Sequence, residues 1–231
     1  MSEAISIVRI LVRGGLVTLW PWLILTISFI VNLAFFAAVG DDAPVVRQSG
    51  GILALFLTFI PANQQAWTQV LPFILGLSGT RRGFMRAMGL FVLGQSAAGG
   101  IVIVTLRSAE VMTGGWGMDV RFFRVPVIDQ LSGTGYVSVA TAVLLATSAL
   151  GAVLGAVMVR WGVAGVWWLA SGVGFLVGGI AVAAVASGGV GPTLVRLAGR
   201  PWVELWVVLP CAVAAVCWSA CWTIALRVSP R

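Results

Sequence analysis

The stretch GILALFLTFIPANQQAWTQVLPFILGL, residues 51 to 77, decides how this chain folds. It lies in a 33-residue block, from Gln48 to Thr80, that holds no charged side chain. A helix of about 20 apolar residues crosses the hydrocarbon core of a bilayer, so the block reads as a membrane span. Its middle is polar. Pro61-Ala62-Asn63-Gln64-Gln65-Ala66-Trp67-Thr68-Gln69 sets four amide side chains within seven residues, behind a proline. Pro61 has no N–H for the Leu57 carbonyl, so a kink is expected there. An unsatisfied amide in hydrocarbon costs on the order of several kcal/mol, so these groups face protein, water or substrate. Two readings stay open. Asn63, Gln64, Gln65, Thr68 and Gln69 line a translocation path or inner gate, joined by Asn32 of the first span and Gln95 of the third. Or they are glue between packed helices, at roughly 1 kcal/mol each.

Working outward, charge spacing repeats the membrane signal. Uncharged blocks run from Gly14 to Gly40, Ala87 to Leu106, Gln130 to Val159, Trp161 to Val195 and Leu205 to Leu226. Each holds the roughly 20 residues that a span needs. The block that starts at Trp161 has 35 residues and is broken by Ser187-Gly188-Gly189 and Gly191-Pro192. The expected fold is all-α and polytopic, one transmembrane domain over residues 1–231. Its six spans are expected at about 16–39, 51–77, 87–106, 137–159, 163–186 and 205–226. Asp41, Asp42 and Pro44 end the first span, and a polar-aromatic loop covers about 107–135. Hydrophobic residues make up 60% of the chain and charged residues 9%, with a mean hydropathy of +1.06. An ordinary globular domain is about 25% charged, so most of this surface has to face lipid.

Residues 2–14 form an amphipathic stretch. Ile5, Val8 and Val12 share a face, and Arg9 and Arg13 stand at i, i+4. This is expected to be an interfacial, elbow-like helix over 1–15, jointed at Gly14-Gly15 before Trp20-Pro21-Trp22; the alternative is the plain start of the first span. Glu3 and the length of the apolar run argue against a cleaved signal peptide.

Composition excludes several chemistries. The chain has no His, and all 14 of its basic residues are Arg. His-based catalysis, most transition-metal sites, Schiff-base chemistry and the P-loop lysine are thereby removed. No catalytic residue, metal site or resident cofactor is expected. Cys211, Cys217 and Cys221 read as small buried apolar residues. The net charge of +7 comes from arginines between apolar blocks. That pattern fits membrane topology better than nucleic acid binding. With the amino terminus inside, Arg9, Arg13, Arg81, Arg82, Arg86, Arg160, Arg227 and Arg231 lie inside, densely in short loops, and Arg47, Arg107, Arg121, Arg124, Arg196 and Arg200 outside. Six of the seven acids, all but Glu3, then lie outside. Both termini are expected in the cytoplasm of a cell-membrane protein. No ionisable group lies well inside a span and no internal repeat is visible, which disfavours ion-coupled carriers.

Two loops stand out. The inner one, Ser78-Gly79-Thr80-Arg81-Arg82-Gly83-Phe84-Met85-Arg86, couples three arginines with an exposed-looking Phe84 and Met85. It is either a plain positive-inside anchor or a short helix docking into a partner's groove. The outer one holds Thr113-Gly114-Gly115-Trp116-Gly117 and then Phe122-Phe123. Its aromatics sit at headgroup level, or its glycines let it cap the outer mouth. Gly151-x-x-x-Gly155 and the glycines at 172, 174, 178 and 179 allow close helix approach.

These residues resemble the small six-span permease subunits of type-2 ABC exporters, in the form common in high-GC Gram-positive bacteria. Pro72-Phe73-x-Leu75-Gly76-x-Ser78-x-Thr80-Arg81-Arg82-x-Phe84 is similar to the end of their second span and its inner loop. The Thr113–Gly117 segment with Phe122-Phe123 resembles their outer loop, and Arg160-Trp161-Gly162 their turn after span four. The resemblance implies an amino-terminal elbow helix. It implies an ATPase-coupling element formed by Thr80, Arg81, Arg82, Gly83, Phe84 and Arg86, and an outer gate at Trp116, Phe122 and Phe123. It also implies partners: an ABC nucleotide-binding subunit that carries ATP and Mg²⁺, a second permease copy, and membrane lipid. The external segments are too short for a separate extracellular domain, which departs from the family's larger members. A non-transporting scaffold, or a sensor or assembly subunit, explains the same spans. An intramembrane enzyme lacks its His or paired Asp.

Overall fold

The computed structural model describes residues 2–13, 16–39, 48–126, 128–186 and 203–227. The Gly14-Gly15 joint, the stop at Asp41, Asp42 and Pro44, and the break between Ser187 and Pro192 lie outside them. The described residues form α1 (Ser2–Arg13), α2 (Leu16–Val39), α3 (Ile52–Gln65), a π turn (Ala66–Val70), α4 (Leu71–Gly76), α5 (Arg81–Met112), an irregular loop turn (Gly115–Asp119), α6 (Gly133–Ala186), a second helical π turn (Glu204–Val208) and α7 (Leu209–Arg227). The only extended pairing among them is a single bridge, Gln48 to Arg121.

Four stretches are long and apolar enough to cross a membrane: Ala4–Val39, Arg81–Met112, Gly133–Phe175 and Glu204–Ala225. The opening stretch of the sequence is helical as well, but as three successive pieces from Ile52 to Gly76. α6 is broken only at Gly162, whose φ of 69° and ψ of −163° belong to a region that glycine alone enters readily. Two arms result, 133–161 and 163–186. α5 runs beyond the expected 87–106 at both ends and takes in Arg81, Arg82, Arg86, Arg107 and Glu110. The intrahelical hydrogen bonds do not stop where the hydrocarbon does, and long arginines reach back to water.

Residue sizes are distributed as in a membrane bundle. The first arm of α6 buries Ala140, Ala149, Gly151, Ala152, Gly155 and Ala156. On the second arm Trp167, Trp168 and Phe175 are 70%, 79% and 83% exposed. Lipid tails are as apolar as a leucine, so nothing drives large side chains inward. Tight van der Waals packing of small residues holds the helices instead. A methyl group at Gly151 would collide with the Ile60 carbonyl, and one at Gly155 would sit 2.5 Å from Cβ of Trp67. The Gly151-x-x-x-Gly155 spacing is therefore the seam between α6 and the helical run from α3. Gly172 and Gly174 meet nothing within 4 Å.

Two apolar cores stack along the bundle. One joins α1, the Ala62–Ile74 part of the second run, the start of α5 and the end of α6's first arm. The other joins Leu25, Ile52, Leu55, Phe59, Ile103, Tyr136 and the 113–132 loop. α1 enters the first core through Ala4, Ile7 and Leu11 rather than through Ile5 and Val12, which are exposed. The expected face is thus rotated. Ala4, Ile7 and Leu11 share one side at i, i+3 and i+7, and Ile5 and Val12 flank it beside Arg9. Pro61 likewise lies inside a helix that continues past it, and the irregular turn comes later, at Ala66–Val70. Only Cys221 of the three cysteines is buried, and Cys211 is exposed.

Gly151→Val should therefore lower the thermal unfolding midpoint in detergent, because an added side chain against backbone costs about 1–3 kcal/mol or more. Gly172→Val should leave the midpoint unchanged. Equal midpoints for the two variants would remove Gly151 from the helix seam.

Candidate functional site

The two cores are separated by a polar layer. Gln95 of α5 donates from Nε2 to Oδ1 of Asn63 on α3, at 2.9 Å, and to the Ser148 hydroxyl of α6, at 3.3 Å. Asn63 donates in turn to the Phe59 carbonyl at 2.8 Å. Asn63 and Ser148 are fully buried. Three helices are thus cross-linked at mid-depth, and these amides are satisfied within the chain. Ser96, beside them and also buried, has no partner for its hydroxyl among the described residues.

The other amides of this run behave differently. Gln64 donates to the Met158 sulfur at 3.0 Å, a weak acceptor. Thr68 donates back to the Gln64 and Gln65 carbonyls. Gln65 is half-buried and Gln69 exposed, and among the described residues neither amide has a hydrogen-bond partner. They belong to a stripe at every fourth position, Leu53, Leu57, Pro61, Gln65, Gln69 and Phe73, that faces away from the bundle. Asn32 is not part of this group. Its Oδ1 accepts from the Ser49 hydroxyl at 2.7 Å, next to the 48–51 turn.

The π turn has a sequence cause that Pro61 does not supply. Pro72 has no N–H for the Thr68 carbonyl and its ring presses on that carbonyl, so the helix widens just before it. The second π turn has the same ending: Val208-Leu209-Pro210 repeats Val70-Leu71-Pro72. This repeated tripeptide is the signal that locates both turns.

At the Arg81 end no separate coupling helix forms. Leu77–Thr80 is a tight turn, and Thr80 caps α5 directly by accepting from the Gly83 N–H at 3.0 Å. The second helical turn then points inward. Phe84 and Met85 are buried, and Phe84 meets the Trp67 ring edge-on at 5.3 Å. They are not the exposed apolar pair expected for docking. Gly83 is buried as well. The surface here is Thr80, Arg82 and Arg86, with Arg81 half-buried and the exposed Arg9 and Arg13 of α1 on the same end of the bundle.

At the other end residues 113–126 and 128–132 form a folded cap. Its anchor is Glu110, 1% exposed, whose Oε2 accepts from Trp116 Nε1 at 3.1 Å and from the Phe122 and Phe123 N–H groups at 3.0 and 2.8 Å. These bonds hold Trp116 at a φ of 63°, a conformation that costs a non-glycine residue roughly 1–2 kcal/mol. Gly115 is required at its position, since a methyl group there would lie 2.6 Å from the Val120 nitrogen. Trp116, Phe122 and Phe123 close around Phe29, with ring centroids 4.9, 5.2 and 5.8 Å from it. Phe122 and Phe123 are core residues rather than headgroup anchors. Arg107 and Arg124 clamp Asp129 at 2.9 and 2.7 Å. Tyr136 donates to the Phe123 carbonyl and accepts from the Val125 N–H. Sequence reading counted Glu110 only as an outside acid. Its spacing of seven from the buried Ile103, two helical turns along one face, is the signal that places it inside.

Comparison of the chain with protein families, with curated proteins and with solved structures finds no match.

Two measurements check the cap. Glu110→Ala leaves three N–H donors without their acceptor, at about 1–3 kcal/mol for each buried orphan. Amide exchange at Phe122 and Phe123 should rise by roughly tenfold or more, and Glu110→Gln, which keeps an acceptor oxygen, should restore part of the protection. Unchanged exchange in Glu110→Ala would show that the aromatic cluster holds the cap alone. Burial pushes the Asp129 carboxyl up, but hydrogen bonds from Arg124 and Arg107 outweigh it and leave the group below its ordinary value. A lowered carboxyl stabilises the fold above the ordinary carboxylate range, and that contribution is lost as pH falls through the lowered value. Pepsin cleavage at Phe122-Phe123 should therefore appear only below about pH 4. Asp129→Asn should be cleaved at pH 5 as well.

Proposed function

We propose that the chain is the membrane-spanning permease subunit of an ATP-driven, ABC-type exporter or flippase. It works as a pair of permease copies with a separate nucleotide-binding subunit. α2, the Ile52–Gly76 run, α5, the two arms of α6 and the last helix count as six spans, and an even number returns both termini to one side. That side is the cytoplasm of a cell membrane, because Arg9, Arg13, Arg82, Arg86 and Arg160 share one end of the bundle. α1 is then the elbow helix.

The observation that carries the reading is the outward stripe on the second run. Gln65 and Gln69 stand in the inner half of that span, and among the described residues neither amide has a partner. Hydrocarbon does not accept such groups. A water-filled path shared with a second copy does, and the flanking Leu57 and Phe73 seal it above and below. The Asn63–Gln95–Ser148 layer is helix glue in this reading, and the path residues are Gln65 and Gln69. Two arrangements of the pair expose the path to opposite sides, and the partner's ATP cycle shifts the balance between them. The contact runs through Arg82 and Arg86, the exposed cations at that turn, beside the Thr80 that caps α5. Power comes from the partner because this chain has no lysine for a P-loop.

Arg82→Glu with Arg86→Glu should strongly reduce the P-loop ATPase that co-purifies from native membrane. Both are surface positions, so the unfolding midpoint should stay within about 0.5 kcal/mol. Undiminished co-purification, or cargo movement by the isolated chain in liposomes, would reject the reading.

A further inference from the structure

Beneath the cap, α3, α5, α6 and the second π turn enclose a cavity of about 400 Å³. Phe56, Ile103, Val139, Val143 and Trp206 form its walls. Its polar neighbours are almost all committed. The Tyr136 hydroxyl is bonded to the Phe123 carbonyl and the Val125 N–H, and the Ser49 hydroxyl to Asn32. Water in a cavity needs two to four polar partners, roughly, and these walls are almost wholly apolar. Leu53 and Trp206 line it and are themselves 57% and 37% exposed, so it opens sideways between α3 and the Trp206 turn. In a membrane-embedded chain that opening faces lipid. Its volume is near the lower end of the roughly 300–1,000 Å³ of ligand pockets, which admits one chain of an amphiphile and leaves the head outside.

The rim says which head. Gln48 at the rim pairs its backbone with Arg121, and the Ser49 N–H donates to the Arg121 carbonyl at 3.0 Å. The other rim cations, Arg107 and Arg124, are taken up by Asp129, and Glu204 near Trp206 already has a partner. Arg121 is exposed, and among the described residues no acid pairs with it. We infer that this cavity is a binding site for one hydrocarbon chain of an anionic membrane amphiphile, with the head on Arg121. The site requires the helices to stand in a bilayer but does not require the chain to be a permease.

The test uses the full chain in phosphatidylcholine nanodiscs doped with phosphatidylglycerol carrying a photoreactive diazirine on one chain. Label on peptides containing Phe56, Val139 and Val143 should saturate with probe. Unlabelled phosphatidylglycerol should compete it away better than phosphatidylcholine does. Label on Leu90 and Leu93, exposed on α5, should rise without a plateau. Val143→Trp, which fills the cavity, should abolish the saturable label. Arg121→Gln should lower the preference for the anionic lipid by roughly threefold, the scale of one exposed charge contact. Cavity label that rises linearly like that of Leu90, or that persists in a folded Val143→Trp, would overturn the site. If Val143→Trp does not fold, competition on the unmodified chain decides by the same criterion. Equal competition by the two lipids would overturn the assignment of the head to Arg121.

Discussion

Hydrocarbon leaves a polar group nothing to bond to, and that constraint organises this structure. It accounts for helices throughout, since a helix satisfies its backbone within one segment. It also sorts the side chains. Amides near the bundle axis find each other, as Gln95, Asn63 and Ser148 do across three helices. The buried carboxylate of Glu110 sits where a loop returns with three N–H donors, at the end of its helix rather than in the middle. Among the described residues, Gln65 and Gln69 alone of the span-two amides lack such an arrangement.

The same constraint removes the force that packs soluble proteins. Helices here are held by close approach, so the central helix is built largely of alanine and glycine where it is buried, and its Trp167 and Trp168 point outward. α6 meets α3, α5 and α7. Its first arm can do so because Gly151 and Gly155 let the Ile52–Gly76 run lie against it at backbone distance. The proline-driven π turn fits the same place: Trp67, within that turn, lies over Gly155, where a smaller helix surface has made room.

Much of this was legible in the sequence. Charge-free blocks predicted where apolar helices lie, because a block of that length has few other uses, and the Gly-x-x-x-Gly seam was visible as spacing. Burial was harder to read. Phe84 and Met85 looked exposed because three arginines surround them, yet a helix turns by about 100° per residue, so residues adjacent in sequence face different ways. The Asn63–Gln95 pair was anticipated as a cluster, but Ser148 was not, since a lone serine in an alanine-rich helix carries no signal. The displaced distortion at Ala66–Val70 followed from weighing Pro61 and overlooking Pro72, whose ring clash falls four residues upstream.

The paired Val-Leu-Pro sequences bear on how such a bundle moves. Each proline frees one carbonyl, at Thr68 and at Trp206, and each widened turn places a tryptophan at a contrasting site. Trp67 is sealed in the core beside Phe84, with its Nε1 unpartnered, while Trp206 borders the cavity under the cap. A regular helix resists bending because its ladder of hydrogen bonds is continuous; a π turn before a proline has already lost part of that ladder. The two turns lie toward opposite ends of the bundle, each beside its own core. The Asn63–Gln95–Ser148 layer, hydrogen-bonded across three helices between the two cores, contains no such weak point.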